Sequence, residues 1–373
     1  MVFMDKREKV AFLCDYKSYY GGNFIPSLLA LEDGLKQRKK ECVYIFPEDA
    51  KERYWIQYLK QTGRTVIFFK SNLSRKKFLQ QLDFIVRENN VEILHVHFGN
   101  VLNAELYSFI NKKVKVYIHL HSDFTAGEKT IREQITNMVI YHLLSKNVQF
   151  ISVSKSFLKY NNKKTTWIPN GLATNRIPCE HKTGMELRRE LGLAESDVLC
   201  EIFGWSPVIK GVDIAVRAIK QLNEQRKQKI YLAIVCGREY TAEKMKKYIS
   251  DFTDLKGNES YLIYLPPIED VFSYHEASDV LISSSRSEGF PYSILEMLSL
   301  GKYCVVSKIP GTLWAEKYST VYSFKKDNIE GCKNAILNAI KDNKTNNIEI
   351  KKMIQDEYSI DRWVDSVIRC YQL

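Results

Sequence analysis

Long apolar runs, Cys-x-x-Cys pairs, low-complexity tracts and repeats of solenoid period are all missing from this 373-residue chain. Without an uninterrupted apolar stretch near the ~18 residues that a bilayer crossing demands, the sequence predicts no transmembrane span. The eight cysteines, at 14, 42, 179, 200, 236, 304, 332 and 370, are dispersed, and several sit in apolar runs. That usage predicts buried free thiols in a reducing cytosol, not zinc sites or disulfides. The first apolar run, Val10–Cys14, is too brief for a signal-peptide core and has no small-residue cleavage site after it, so it reads as a first strand. No Gly-x-Gly-x-x-Gly fingerprint of a nicotinamide site occurs, and no helix-turn-helix, RNP or zinc-knuckle pattern points to nucleic acid. A cytoplasmic location follows as the expectation.

What is present is the composition of a soluble globular protein, 45% apolar and 27% charged, long enough for two domains with separate cores. The net charge is +11, and its distribution matters more than its size. Residues 1–172 hold 27 Lys and Arg against 16 Asp and Glu, whereas residues 173–373 hold 28 of each, so the whole excess lies in the first half. Part of it falls in Lys36–Lys40 and part in Arg75-Lys76-Lys77, which opens a segment with Phe78, Leu82 and Ile85 at helical spacing. Two readings stand side by side: a basic amphipathic helix lying on an anionic membrane surface, or a core-facing helix with a solvated basic end.

Along the chain, short β-branched or apolar runs alternate with helical patterns. Strands are predicted at Val10–Cys14, Cys42–Phe46, Val66–Phe69, Ile93–Val96, Val116–Leu120 and Gln149–Val153. After a break at Trp167–Leu172 and a helix at Glu186–Leu191, they resume at Leu199–Phe203, Ile230–Cys236, Tyr261–Leu265, Val280–Ser283 and Tyr303–Ser307. This alternation is the signature of parallel sheets wrapped by helices. Two α/β units joined at Pro169-Asn170-Gly171 account for it.

The segment Ser283–Leu298 carries the most chemistry. A strand ending near Ile282 enters a polar turn, Gly289 and Pro291 break it, and an apolar-periodic helix follows through Ile294, Leu295, Met297 and Leu298. Such a helix aims unpaired backbone N–H groups and its positive dipole end at phosphate or sugar oxygens. Glu288 lies before the helix and can accept from sugar hydroxyls. Glu296, about two turns deeper, can accept from a diol such as a ribose.

This pattern resembles the retaining glycosyltransferases of family 4, the group-1 transferases with the GT-B fold, in which two glutamates flank a Gly-Phe turn. The resemblance spans essentially the whole chain. It also takes in Tyr19–Asn23, Ile168–Gly171, Phe203–Asp213 and a final helix, Ile360–Arg369, like the family's segment that crosses back onto the first domain. It implies an α/β protein of two Rossmann-like domains facing each other across a cleft. Residues 1–172 with about 358–373 would form an acceptor domain, and residues 173–357 a donor domain.

The resemblance also implies roles. Gly22 is assigned to the donor diphosphate, and Lys210 to the charge of the leaving nucleoside diphosphate. Ile268 is set under the base. Gly289, Phe290, Tyr292 and Ser293 sit at the phosphate-binding helix start, Glu288 on the sugar and Glu296 on the ribose. A histidine after the fifth strand contacts the transferred sugar in this family; His121 is the candidate and His119 the second choice, with His95 and His97 structural or acceptor-lining. At Trp205 the family usually has an arginine, and an indole cannot supply a guanidinium's charge. Either Arg238 or Arg286 replaces it, or Lys210 and helix N-termini act alone.

The function implied is retaining transfer of a hexosyl unit from a nucleotide diphospho-sugar, UDP-sugar favoured, to a saccharide acceptor, lipid-linked, in capsule or exopolysaccharide synthesis at the inner face of the plasma membrane. No metal or other cofactor is expected. The sequence assigns no oligomeric state. Two alternatives are a non-catalytic GT-B-like partner subunit and a nucleotide-sugar 2-epimerase.

Overall fold

The structure is a computed structural model that describes residues 9–99, 101–122, 148–159, 164–173, 177, 180–226, 228–342 and 347–373. Cys179 and the charged residues ahead of the first strand lie outside the described residues. The chain forms two compact units, residues 1–177 with 358–373, and residues 178–357.

The first unit is built on a seven-stranded sheet in the order β3-β2-β1-β4-β5-β6-β7. Its strands are β1 (Lys9–Cys14), β2 (Glu41–Pro47), β3 (Thr65–Phe69), β4 (Val91–His97), β5 (Lys115–Leu120), β6 (Val148–Ser152) and β7 (Thr165–Trp167), all paired in parallel. Runs such as Val10-Ala-Phe-Leu-Cys14 are apolar throughout because helices cover both faces of a parallel sheet. On one face, helix Phe24–Lys36 and the last helix, Ile360–Tyr371, bury Ile25, Leu28, Val367 and Tyr371 against Phe12 and Tyr44. Gly34 permits that helix pair to close, since a Cβ there would lie 2.5 Å from Val364 Cγ1. The turn Ile168–Gly171 packs on the same last helix, since a Cβ on Gly171 would lie 2.5 Å from Trp363 Cβ; just beyond it, Leu172 N–H donates at 2.7 Å to the carbonyl oxygen of Tyr358, which ends the preceding helix, Ile348–Tyr358.

Helix Arg75–Glu88 settles the choice left open by its basic start. Phe78, Leu82, Ile85 and Val86 are buried in the core of the opposite sheet face, while Arg75, Lys76 and Lys77 are exposed. The apolar side that a membrane-lying helix would have to present is already used inside the protein, so the core-facing reading is the correct one. No helix among the described residues is long and apolar enough to cross a membrane.

The second unit is a six-stranded parallel sheet in the order β10-β9-β8-β11-β12-β13. Its strands are β8 (Val198–Phe203), β9 (Ile230–Val235), β10 (Leu262–Leu265), β11 (Val280–Ser283), β12 (Tyr303–Lys308) and β13 (Val321–Lys325). Helices Val212–Gln225, Ala242–Phe252 and Ile329–Asp342 cover one face, and Gly184–Glu190 with Phe272–Ala277 cover part of the other. The strand order reverses between β8 and β11, and ligands of open parallel sheets bind outside the carboxyl ends of the strands at such a switch point.

Two strands escape the sequence reading, β7 and β13. Both sit on sheet edges. Thr165–Trp167 is only three residues long, and Val321–Lys325 is mostly half-exposed, so neither shows the continuous apolar signal of the central strands.

Candidate functional site

The loops after β8 and β11, on either side of the switch point, bring the predicted donor residues of the second unit together. After β8 the chain makes one helical turn, Pro207–Lys210, and stops at Gly211 in the left-handed region, φ 62°. Glycine is required there: a Cβ would lie 2.2 Å from Ser284 O, the first residue past β11. That close approach is sealed by Ser284 Oγ, which donates to Gly211 O at 2.8 Å, and by Arg286 N–H, which donates to Ile209 O at 2.7 Å.

The result is a short ion pair between the two loops. Lys210 Nζ lies 2.6 Å from Glu288 Oε1, and Ser285 Oγ donates to the same oxygen at 2.7 Å. The ammonium also stands 4.8 Å from the ring centroid of Trp205, a cation–π contact on an indole that is 56% exposed. Trp205 therefore gives Lys210 a π face where the resemblance led to an arginine.

Of the two arginines considered as replacements, Arg286 is engaged elsewhere. It donates to Asp213 from Nη1 and Nη2 at 3.0 and 2.9 Å and to Asp327 from Nε at 2.7 Å. Arg238 is exposed in the loop after β9. That loop touches Trp205, because a Cβ on Gly237 would meet Trp205 Cα at 3.0 Å.

Gly289, Phe290 and Pro291 are buried, and helix Tyr292–Ser299 begins directly after them with Tyr292 and Ser293 half-exposed in its first turn. Phe290 stacks on Trp314 at 4.2 Å. Gly311 lets the loop after β12 press onto this turn, since a Cβ there would lie 2.1 Å from Glu288 O. Glu296, in the middle of the helix, is buried, with Oε2 3.2 Å from His275 Nε2. Ile268 is half-buried in the loop after β10, packed beside Leu265 and Tyr274.

In the first unit, Gly22 adopts φ 54° in the turn before helix Phe24–Lys36. His95 and His97 on β4, His119 on β5 and His121 just past its end form one aromatic column. His95, His97 and His119 are wholly buried and His121 is half-buried. Burial holds His95 down at about 3 and pushes His97 and His119 well below their ordinary value, so this column is neutral at pH 7. His97 Nδ1 lies 2.9 Å from His121 Nε2, and Tyr371 Oη lies 2.5 Å from His95 Nδ1. Among the described residues, neither ring nitrogen of His119 finds a hydrogen-bond partner, and the ring stacks beside Trp363. Among the described residues, His95, His97 and His119 are the group with nitrogens close enough, within 4.8 Å of one another, to share a metal ion. Asp123, beyond His121, lies outside the described residues.

Ser284, Ser285, Gly311, Trp314, His275 and Glu201 shape this part of the protein and were not found by sequence reasoning. Gly311 had a legible signal in the Ile309-Pro310-Gly311 turn. The others act through contacts between segments far apart in the chain, for which a single sequence has no local mark.

Residues 204–356 match the family model of Glycosyl transferases group 1. Over 80% of this chain and 81% of its own length, an N,N'-diacetylbacillosaminyl-diphospho-undecaprenol alpha-1,3-N-acetylgalactosaminyltransferase of Campylobacter jejuni is 23% identical. A D-inositol 3-phosphate glycosyltransferase of Thermobifida fusca is 27% identical over 131 residues, which are 34% of this chain and 30% of that protein. Among solved structures, Anabaena Alr3699/HepE in complex with UDP and glucose superposes with a TM-score of 0.77 at 18% identity, covering 98% of this chain and 100% of that one. The fold is thus that of GT-B proteins. With the family match in the second unit, it indicates a glycosyltransferase of GT-B type.

Proposed function

We propose that the protein transfers a hexosyl unit from a nucleotide diphospho-sugar, a UDP-sugar by preference, to a lipid-linked saccharide acceptor, with retention at the anomeric carbon, in the synthesis of capsule, exopolysaccharide or another cell-surface glycan. The observation that carries the reading is the Lys210–Glu288 pair at the switch point of the second unit, set beside a helix start and a buried Glu296. Lys210 and the first N–H groups of helix Tyr292–Ser299 meet the diphosphate, whose growing negative charge must be stabilised as the bond from the sugar's C1 to the phosphate oxygen breaks. Glu288 orients the sugar and Glu296 the ribose. The new bond forms on the face the diphosphate leaves, and the acceptor hydroxyl's proton passes to the departing phosphate oxygen. No side chain serves as a covalent nucleophile. Gly22 and His121, in the first unit, are assigned to the diphosphate and the transferred sugar by the family resemblance alone.

Transfer requires no metal, because Lys210 and the helix N–H groups take the charge. Activity that survives dialysis against EDTA is the expected result. The acceptor and donor classes draw support from the relatives: the Campylobacter protein's name specifies a diphospho-undecaprenol-linked saccharide, and the Anabaena structure holds UDP and glucose. The excess of basic residues in the first half of the chain supports work at an anionic membrane surface on the cytoplasmic side.

The test is calorimetric titration with UDP, GDP, dTDP and ADP, followed by transfer assays with labelled sugars of the nucleotide that binds. Selective binding of one nucleotide, weakened by Lys210→Ala and Glu296→Ala, is the expected result. No binding by any of the four would give the lead to a non-catalytic GT-B-like subunit, a reading to which Trp205, in place of the family's usual arginine, gives some support and which the presence of Lys210, Glu288, Glu296 and His121 together opposes.

A further inference from the structure

Behind Glu296 lies a buried ionisable triad that the transfer scheme above does not use. His275, on helix Phe272–Ala277, has Nδ1 2.5 Å from Glu201 Oε1 and Nε2 3.2 Å from Glu296 Oε2. Glu201 interrupts an otherwise apolar strand, Val198-Leu-Cys-Glu-Ile-Phe203, and both it and His275 are completely buried. Among the described residues, its second oxygen, Oε2, has no hydrogen-bond partner. Buried ion pairs are expensive to desolvate, and replacing one by apolar side chains of similar volume is often neutral or stabilising. Stability therefore gives no reason for a carboxylate at position 201. Orientation of Glu296 does.

We propose that Glu201 and His275 form a buried relay that fixes the carboxylate of Glu296 for the ribose of the donor nucleotide, with His275 as a positioning residue for donor binding. The inference rests on the donor-site reading of Glu296. The groups facing the imidazole are Glu201 from β8 and Glu296 from helix Tyr292–Ser299. Lys302, after that helix, donates from Nζ to the carbonyl oxygens of His275, Glu276 and Ser278 at 2.9, 2.6 and 2.6 Å. The rings of Phe203 and Phe272 close the sides, at 5.5 and 6.1 Å. Cys304 on β12 is near enough to feel Glu201. Burial alone would lower the imidazole's pKa, but Glu201 and then Glu296 outweigh it and push His275 up to about 9. The ring is therefore doubly protonated at neutral pH, with an N–H for each carboxylate, and the relay is lost as pH rises through about 9.

The experiment takes whichever of UDP, GDP, dTDP and ADP binds wild type most tightly and compares it with a counterpart lacking the ribose hydroxyls. Wild type is expected to prefer the hydroxylated nucleotide by about tenfold, the worth of one hydrogen bond to a charged group. His275→Gln and the isosteric Glu201→Gln are each expected to erase most of that preference while leaving affinity for the deoxygenated form unchanged. In wild type the preference is expected to fade above pH 9, a readout that needs no variant. Folded variants that keep the full preference, a wild-type preference flat through pH 10, or equal weakening of both nucleotides would each overturn the relay. If Glu296→Ala loses the preference and His275→Gln keeps it, the relay falls while the donor site stands. If wild type binds no nucleotide, the donor-site reading fails and the relay with it.

Discussion

Replacing Lys210 by alanine removes the cation placed 2.6 Å from Glu288 Oε1 and against the Trp205 ring. The pair is mostly sheltered, with 12% and 13% of the two side chains exposed, so solvent screens it only in part. In that setting a charge-assisted hydrogen bond to a phosphate oxygen contributes about 1.5–3 kcal/mol, and its loss weakens nucleoside diphosphate binding by about 10–100-fold. Glu288→Gln acts with the opposite sign, because its carboxylate competes with the diphosphate for one ammonium and repels it. Two negative charges about 6 Å apart repel by about 3 kcal/mol at an effective dielectric constant near 20, and partial neutralisation by Lys210 leaves about 1 kcal/mol. Glu288→Gln is therefore expected to bind UDP about fivefold more tightly and to transfer sugar more slowly, since it loses an acceptor for the sugar hydroxyls. Calorimetry with UDP at pH 7.5 and physiological salt measures both. A Lys210→Ala protein with wild-type affinity, or a Glu288→Gln protein weakened as much as Lys210→Ala, would refute the reasoning and leave the pair a structural salt bridge.

Gly211→Ala places a Cβ 2.2 Å from Ser284 O at φ 62°; the left-handed backbone alone costs about 1–2 kcal/mol. With the clash added, a loss near 3 kcal/mol is expected, which lowers the melting temperature of a unit this size by about 6–12 °C, along with loss of nucleotide binding. Arg286→Ala breaks the contacts to Asp213 and Asp327 and should cost about 1–2 kcal/mol in urea unfolding with nucleotide affinity changed less than about twofold. Arg238→Ala, by contrast, should weaken binding about fivefold if that exposed arginine supplies the second positive charge; equal affinity would leave Lys210 and helix N–H groups to act alone. Acidification should destabilise the first unit. His95, His97 and His119 stay neutral when folded and take up protons when unfolded near pH 6.5, so their effect is absent above that pH and grows as pH falls toward 3. Three protons correspond to about 4 kcal/mol per pH unit at pH 5; equal urea midpoints at pH 7.5 and 5 would contradict the assignment.

The sequence made the parallel sheets legible because their central strands are covered on both faces and so read as unbroken apolar runs, as at Val10–Cys14 and Val280–Ser283. Edge strands have no such constraint: Val66–Phe69 and Tyr261–Leu265 are apolar enough to be read all the same, whereas Thr165–Trp167, only three residues long, and the half-exposed Val321–Lys325 stayed hidden. The same rule divides the donor residues. Lys210, Gly211 and Glu288 were legible because each stands beside a local marker: a strand end, a turn glycine or a helix start. Glu201 and His275 were not, because their meaning arises only when β8, helix Phe272–Ala277 and helix Tyr292–Ser299 are assembled. A lone glutamate within Val198–Phe203 looks like a flaw in a strand until the imidazole opposite it is seen. The basic helix illustrates the converse limit. Its period was readable and its partner was not, since a face bearing Phe78, Leu82 and Ile85 serves a membrane or a sheet equally well until the fold buries it in the core on one face of the first sheet. Sequence periodicity specifies that an apolar face must be covered; tertiary structure alone decides by what.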